Sequence, residues 1–336
     1  MKQEFVNHWK ELFSSPKKCV LFPHKNPDGD ALGSTLALAR FLSKQGHQCQ
    51  IISPNEYPKF LRWMPGQENI LCYNLQEVDC KKHIEEAEVF LTLDFNSLQR
   101  ISPLDKFLTH SPKPIIMIDH HEAPHDYDTF RYSDPSIGST CEMVYNVMKF
   151  INPAQIDKEI GQCIYTGMMT DSGSFRFSST TSTTHLIASE LLALGINHAQ
   201  IHQNIYDSSR FERLQLLGIT LGNLTRVDNL QAVYTSLSQS ELDQCNFQKG
   251  DTEGFVNYGL SLEGIELAVI MIENKQEGII KMSFRSKGSF DVNQFARKYF
   301  NGGGHKNAAG GMTHLTLEKT TDLLESNLLK YRKSLS

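Results

Sequence analysis

One short segment concentrates groups that can hold a hard cation. His24-Lys-Asn-Pro-Asp28-Gly-Asp30 places an imidazole and two carboxylates within one turn shaped by Pro27 and Gly29. Divalent ions such as Mn²⁺ take carboxylate oxygens with an occasional imidazole, and the alternate residues Asp28 and Asp30 can point at two different ions. Asp94 in LTLDFNS ends one apolar run, Asp119-His120-His121 ends a second, and Asp171 in MMTDSGSF lies at the end of an apolar helix. Singly, each has a plainer reading. An Asp before a helix is a good N-cap, a strand-end Asp often caps a loop, a buried His is more often a satisfied core group than a ligand, and Asp171 can simply begin a turn. Together the four loops supply five Asp and three His (24, 120, 121), which suits a dinuclear centre with one carboxylate bridging both ions.

A second cluster lies far along the chain. Asn301-Gly302-Gly303-Gly304-His305-Lys306-Asn307-Ala308-Ala309-Gly310-Gly311 joins a glycine run to a helix-compatible stretch. Glycines let backbone N–H groups approach an anion closely, as in a phosphate nest, although a flexible turn has the same composition. His305, Lys306 and the upstream Arg285 add cationic donors suited to phosphate.

The elements that must position these groups read as α/β. Short apolar runs at 20–23, 50–53, 89–93 and 115–118 alternate with helical patterns, including an amphipathic helix over 31–45 closed by Gly46. That alternation predicts a parallel sheet, whose ligands sit beyond the carboxyl ends of the strands, where the acidic loops fall. Helices are predicted over 138–150 and 155–169, then a polar turn (TDSGSFRFSSTTSTT), then a helical stretch over 184–225. From 226 onward the pattern is strand, helix, two strands, helix, glycine cluster, strand and a final helix. The predicted division is a catalytic metal-binding domain over 1–200, a helical connector over 201–225 and a smaller α+β domain over 226–336.

The chain has 336 residues, 40% hydrophobic and 21% charged, enough apolar material for real cores and more than one core usually holds. Its 33 basic and 38 acidic residues leave −5, which argues against coating duplex nucleic acid through a broad basic surface. Residues 226–336 carry 13 of each sign, so the acidic excess lies in 1–225, with the strand-end aspartates. Seven cysteines without a CxxC pair, a start lacking a signal-peptide profile and no apolar run of membrane-spanning length predict a cytoplasmic chain with reduced thiols and no membrane attachment.

On HKNPDGDALGS, Asp94 of LTLDFNS, IDHH at 118–121, TDSGSFRFSSTT and GGGHKNAAG, the chain resembles the DHH/DHHA1 phosphoesterases over nearly its whole length. The likeness is greatest to their small two-domain nanoRNase branch (oligoribonuclease and pAp phosphatase), which is RecJ-like. Phe95 and Asn96 depart from the commoner Asp-Thr or Asp-Cys continuation while keeping the acidic residue. The resemblance implies an active site between the two domains, with one metal on His24, Asp28 and Asp94 and a second on Asp30, Asp94, His120 and Asp171. Asp94 would bridge. The ions would be Mn²⁺, with Mg²⁺ or Co²⁺ as substitutes. His121 would handle protons beside the scissile phosphate and Asp119 would orient a ligating histidine. Arg285, His305 and the Gly302, Gly303 and Gly304 backbone would bind the substrate's phosphate, with Ser139, Thr140 and Arg176 as weaker candidates. Implied substrates are short RNA oligonucleotides, linear dinucleotides and 3′-phosphoadenosine-5′-phosphate (pAp), cut to nucleoside 5′-monophosphates, and a homodimer is a known family arrangement. The alternatives are a cyclic-dinucleotide (c-di-AMP) phosphodiesterase and a non-catalytic nucleotide- or RNA-binding module.

Overall fold

The computed structural model describes residues 2–335, which form two compact units divided after Ser208. In the first unit the strands are β1 (Lys18–Pro23), β2 (Gln48–Ser53), β3 (Leu71–Cys72), β4 (Val89–Leu93), β5 (Ile115–Asp119) and β6 (Phe130–Ser133). Its helices are α1 (Gln3–Leu12), α2 (Gly29–Lys44), α3 (Glu77–Glu86), α4 (Asp105–Leu108), α5 (Thr140–Ile151), α6 (Lys158–Asp171), α7 (Ser182–Ala193) and α8 (His198–Tyr206). All strand pairs are parallel, in the order β3-β2-β1-β4-β5-β6. β1 and β4 are neighbours, yet the chain turns toward one edge after β1 and toward the other after β4. Their carboxyl ends therefore flank a crevice, the usual ligand position of such a sheet.

Both faces of this sheet are covered, which explains why its central strands are unbroken apolar runs. Leu21, Ile51, Leu91, Ile116 and Ile118 pack with α1, α2, α5 and α6, while Val20, Phe22, Ile52 and Phe90 pack with α3 and the 101–108 region. α2 and α6 cross closely because the crossing lacks side chains where backbones meet. A Cβ on Gly33 would lie 2.5 Å from the Cys163 carbonyl oxygen, and one on Gly167 would lie 2.7 Å from Asp30 Oδ1. The crossing brings the start of α2 against the end of α6.

The second unit contains α9 (Phe211–Gly222), β7 (Thr225–Arg226), β8 (Ala232–Leu237), α10 (Gln239–Gln244), α11 (Val256–Leu260), β9 (Leu267–Asn274), β10 (Ile279–Ser286), α12 (Val292–Tyr299), β11 (Gly303–His305), β12 (Ala308–Thr313) and α13 (Leu317–Leu328). Its sheet runs β11-β12-β10-β9-β8-β7, antiparallel except for β8 with β9. Alternation along β9 sends Leu267, Val269 and Met271 to a core shared with α12 and α13, and Ala268 and Ile270 to one shared with α9, α10 and α11.

Two expectations about local structure are corrected. The stretch 184–225 is not continuous helix: α7, α8 and α9 are separated at Gly195, which takes φ +78°, and again before Arg210. The residues after the glycine run are strand β12 rather than helix, because Gly302 and Gly304 let the chain fold back on itself; a Cβ on Gly302 would lie 2.0 Å from the Gly310 carbonyl oxygen. Among the described residues, no helix is long and apolar enough to cross a membrane.

Candidate metal centre at the strand ends

His24 follows β1 and Asp94 follows β4, so they stand on the two sides of the crevice. His24 Nε2 lies 3.5 Å from Asp94 Oδ2 and 3.7 Å from Asp28 Oδ2. Its Nδ1–H donates to the Lys25 carbonyl at 2.9 Å, which leaves Nε2 as the nitrogen facing the carboxylates. Asp28 caps α2 by accepting from the backbone N–H groups of Asp30 and Ala31, so the plain capping reading is correct for one of its oxygens. The other oxygen faces His24.

The second cluster forms around His120. Its Nε2 lies 3.4 Å from Asp171 Oδ2, 3.5 Å from Asp94 Oδ1 and 3.9 Å from Asp30 Oδ2. Its Nδ1 donates to the Ile137 carbonyl at 3.1 Å and fixes the ring. Asp94 thus presents Oδ2 to one cluster and Oδ1 to the other. It does so from an unusual backbone, φ +68°, with its N–H donating to the Ile118 carbonyl.

The carboxylates are held from behind. Asp30 is almost fully buried and accepts from the first two amides of α5, Thr140 N at 2.6 Å and Cys141 N at 2.8 Å. The Thr140 hydroxyl donates to Asp94 Oδ1 at 2.9 Å. These contacts correct the expectation that Ser139 and Thr140 contact substrate: both are buried, Ser139 capping α5 through Glu142 N and Thr140 bracing two aspartates. Nothing in residue type or spacing marks Thr140 for this task; the only signal is that it opens a helix. Asp119 Oδ1 accepts from His121 Nδ1 at 2.7 Å, so the ring it orients is that of His121 and not that of the ligand candidate His120. Arg176 is exposed and donates to the Gly173 carbonyl.

Burial and crowding govern the charges. Burial and the neighbouring Asp94 and Asp171 push the Asp30 carboxyl well above its ordinary range, and burial with Asp94 pushes Asp171 up to about 6 against the pull of His120. Burial and Arg100 act against a charged His24, yet the hydrogen bonds with Asp28 and Asp94 raise it to about 9. His120 also rises to about 9 because Asp171, Asp94 and Asp30 outweigh its burial. Burial opposes ionisation of Asp94, but His24, His121 and His120 hold it far below the usual carboxylate range. The carboxylate crowding that raises Asp30 and Asp171 is the repulsion that a bound cation would offset. The donor groups His24, Asp28 and Asp94, and Asp30, His120 and Asp171, buried except for the partly exposed Asp28 and Asp171 and each with ligand atoms within 4.8 Å of one another, match the oxygen-rich preference of Mn²⁺ or Mg²⁺.

In the second unit, register places two predicted residues, Arg285 and His305, relative to one another. Arg285 on β10 is opposite Ala308 on β12, which is opposite His305 on β11, so both cationic side chains share a sheet face across one small residue. The glycine amides differ from the expected nest. Gly302 N–H donates to the Ala296 carbonyl and Gly304 N–H to Asn293 Oδ1, so neither is free to hold an anion.

Residues 18–168 match the DHH family, N-terminal domain, and residues 229–328 match the DHHA1 domain. The chain is 28% identical over 295 residues to a Thermus thermophilus bifunctional oligoribonuclease and PAP phosphatase, covering 85% of this chain and 81% of that protein. The crystal structure of an exopolyphosphatase-related protein from Bacteroides fragilis superposes with a TM-score of 0.94 at 39% identity, over 99% of this chain and 97% of the other. RecJ from T. thermophilus in complex with Mn²⁺ shares the fold at TM-score 0.52 and 15% identity, over 99% of this chain and 55% of that one.

Proposed function

Because the chain belongs to the DHH family, with a DHHA1 domain behind the DHH domain, we propose that it is a cytoplasmic, metal-dependent phosphoesterase of short oligoribonucleotides and linear dinucleotides, releasing nucleoside 5′-monophosphates and converting pAp to AMP. The observation that carries this reading is Asp94, with one oxygen turned to each of two His/Asp clusters. His24, Asp28 and Asp94 would hold one divalent ion, and Asp30, Asp94, His120 and Asp171 the other, with Mn²⁺ as the preferred metal. When bound, such ions supply an activated water near neutral pH and stabilise charge developing on phosphate.

The chain's own residues do the rest. The Lys25 and Ile137 carbonyls fix the His24 and His120 rings with Nε2 inward. Thr140 and the first amides of α5 hold Asp94 and Asp30 in place without rearrangement. Asp119 accepts the Nδ1 proton of His121, which leaves Nε2 to exchange a proton with the leaving oxygen as the P–O bond breaks and water adds to phosphorus. Arg285 and His305 bind substrate phosphate as charge-assisted donors. Gly302, Gly303 and Gly304 serve this chiefly by allowing the hairpin that carries His305.

The test is an end-point digest by the purified chain, with Mn²⁺ or with EDTA, of pApA, a five-nucleotide RNA, pAp, c-di-AMP and pyrophosphate. Metal-dependent release of AMP from pApA and pAp, and of mononucleotides from the RNA, is expected. Cleavage of c-di-AMP or pyrophosphate alone would replace this reading with another phosphoesterase specificity. Binding without cleavage of any of the five would make it a nucleotide-binding module.

A further inference from the structure

The two residues after Asp94, Phe95 and Asn96, are where the chain departs from the commoner continuation of that segment, and the chemistry derived above uses neither. Phe95 is fully buried, in a cluster with Phe22, Phe90, Ile101 and Leu104. Its ring lies nearly parallel to that of Tyr127, with 11° between planes and 6.3 Å between centres, and the Tyr127 hydroxyl donates to the Phe95 carbonyl at 3.1 Å. Phe95 therefore anchors its own backbone. Asn96 directs two bonds at one neighbouring turn: its Nδ2 donates to the Glu122 carbonyl at 2.7 Å, and its main-chain carbonyl accepts from the His125 N–H at 2.8 Å. Between these two points Ala123 is exposed yet takes φ +54°, a region that disfavours an L side chain and persists where surrounding contacts dictate it.

These bonds continue a sheet ladder past its end. β4 and β5 are paired as far as Leu93 and Ile118, and the Asp94 N–H then donates to the Ile118 carbonyl. Beyond that point β4 has ended, and Asn96 supplies a further bond with its side chain. His121 lies between the two anchors, three residues after Ile118 and one before Glu122, while Asp119 accepts its ring Nδ1 proton at 2.7 Å. The direction of the ring is thus set by Asp119, and the main chain that carries it is set by Asn96. The loop that holds Asn96 cannot drift to follow the turn, because its far end is tied too, the Lys25 N–H donating to the Arg100 carbonyl at 2.7 Å.

We propose that Asn96 is a positioning residue for His121, holding its main chain so that the ring keeps the placement from which it exchanges a proton with the leaving oxygen. The proposal rests on the hydrolytic reading for the task of His121 and not for its placement. The bonds of Asn96 end on Glu122 and His125 rather than on any of the six ligand candidates, so its effect falls on the proton-handling ring and not on the metals. A misplacement of about 1 Å in such a group is enough to lower turnover about 100-fold.

The test compares wild type with Asn96→Asp, which keeps the shape and removes the donor. In the metal-free full chain with ¹⁵N-labelled histidine, the Nδ1 proton of His121 is assigned by its absence from His121→Gln. That proton should exchange with water at least about tenfold faster in Asn96→Asp, while the Nδ1 proton of His24 on the Lys25 carbonyl keeps its rate. With Mn²⁺, kcat for pApA should fall about 10- to 100-fold, with KM within about twofold and the manganese content unchanged. Tyr127→Phe, which removes only the hydroxyl on the Phe95 carbonyl, should move both readouts the same way by a smaller factor, and it serves if Asn96→Asp does not fold. Wild-type exchange of the His121 proton in folded Asn96→Asp, equal acceleration at His24, a change confined to KM, or loss of manganese along with activity would each overturn the proposal. If wild type does not cleave pApA, the hydrolytic reading fails, and the exchange rate in the metal-free chain decides the placement of His121 by itself.

Discussion

Asp94 occupies the left-handed backbone region at φ +68°, a conformation that costs a non-glycine residue about 1–3 kcal/mol and persists where surrounding contacts over-determine it. Those contacts are the Ile118 carbonyl and the Thr140 hydroxyl. Thr140→Val should therefore keep the fold and the amide bond to Asp30 while lowering Mn²⁺ affinity by about 10- to 100-fold, the range for groups that orient metal ligands. Isothermal titration of the variant measures this, and wild-type affinity would show that Asp94 needs no such brace. Asp119→Asn should lower kcat more than it changes KM, since it misorients His121 without touching the six ligand candidates. A variant with only KM altered would place Asp119 in substrate binding. The ligand candidates were legible in the sequence because each follows an apolar run, where a carboxylate or imidazole stands out by type. Thr140, the Ile137 carbonyl and the Asn293 amide were not, since a helix-opening threonine, a main-chain oxygen and a mid-helix asparagine are unremarkable until the chain is folded.

At the scale of elements, the centre depends on the crossing of α2 with α6. Gly33→Ala would press a methyl group against the Cys163 backbone, which cannot yield as a flexible side chain would. A loss of about 1–3 kcal/mol in stability is expected, read by denaturant unfolding, with weaker Mn²⁺ binding as Asp30 and Asp171 separate. The far end of the same pair is fastened by charge. Asp157 caps α6 and accepts from Arg40 and Lys44 of α2. Partial burial works against its ionisation, but Arg40, the Ile160 amide and Lys44 bring its carboxyl down to about 2. A depressed folded-state value stabilises above the unfolded value near 4, and that stabilisation is lost as pH falls toward 2. Asp157→Asn, which keeps a capping oxygen, should thus cost about 1 kcal/mol at pH 7 and almost nothing at pH 2, by urea unfolding at both values. An equal loss at both pH values would assign the effect to capping alone. The four central strands and α2 could be read from apolar runs and the Gly46 stop. β3, with two residues, and α3, with only Cys80 and Ile84 buried, carry too little apolar pattern to be read. The hairpin of β11 and β12 was hidden because its determinant is close backbone approach, which composition expresses only as glycine.

For the molecule as a whole, the order of the motifs made the two-part α/β architecture legible, and the charge arithmetic correctly assigned the acidic excess to the part holding the strand-end aspartates. The division after Ser208 left no compositional mark, because α8 and α9 are ordinary helices joined without a run of glycine or proline. The approach of Lys298 and Lys330 to the Tyr299 ring was equally hidden, since the two stand more than thirty positions apart. Filling the centre should raise whole-chain stability: at Mn²⁺ one hundred times the dissociation constant, about 2.7 kcal/mol per site is added by mass action. A thermal scan with and without Mn²⁺ should show this upward shift. The most direct test of the account is AMP release from pApA by Mn²⁺-loaded wild type and by Asp94→Asn, with bound manganese counted in the same samples. We expect two ions per chain and rapid release in wild type, against lost manganese and activity at least about 100-fold lower in a folded variant. An Asp94→Asn protein that still holds two ions and cleaves pApA within a few-fold of wild type would contradict it.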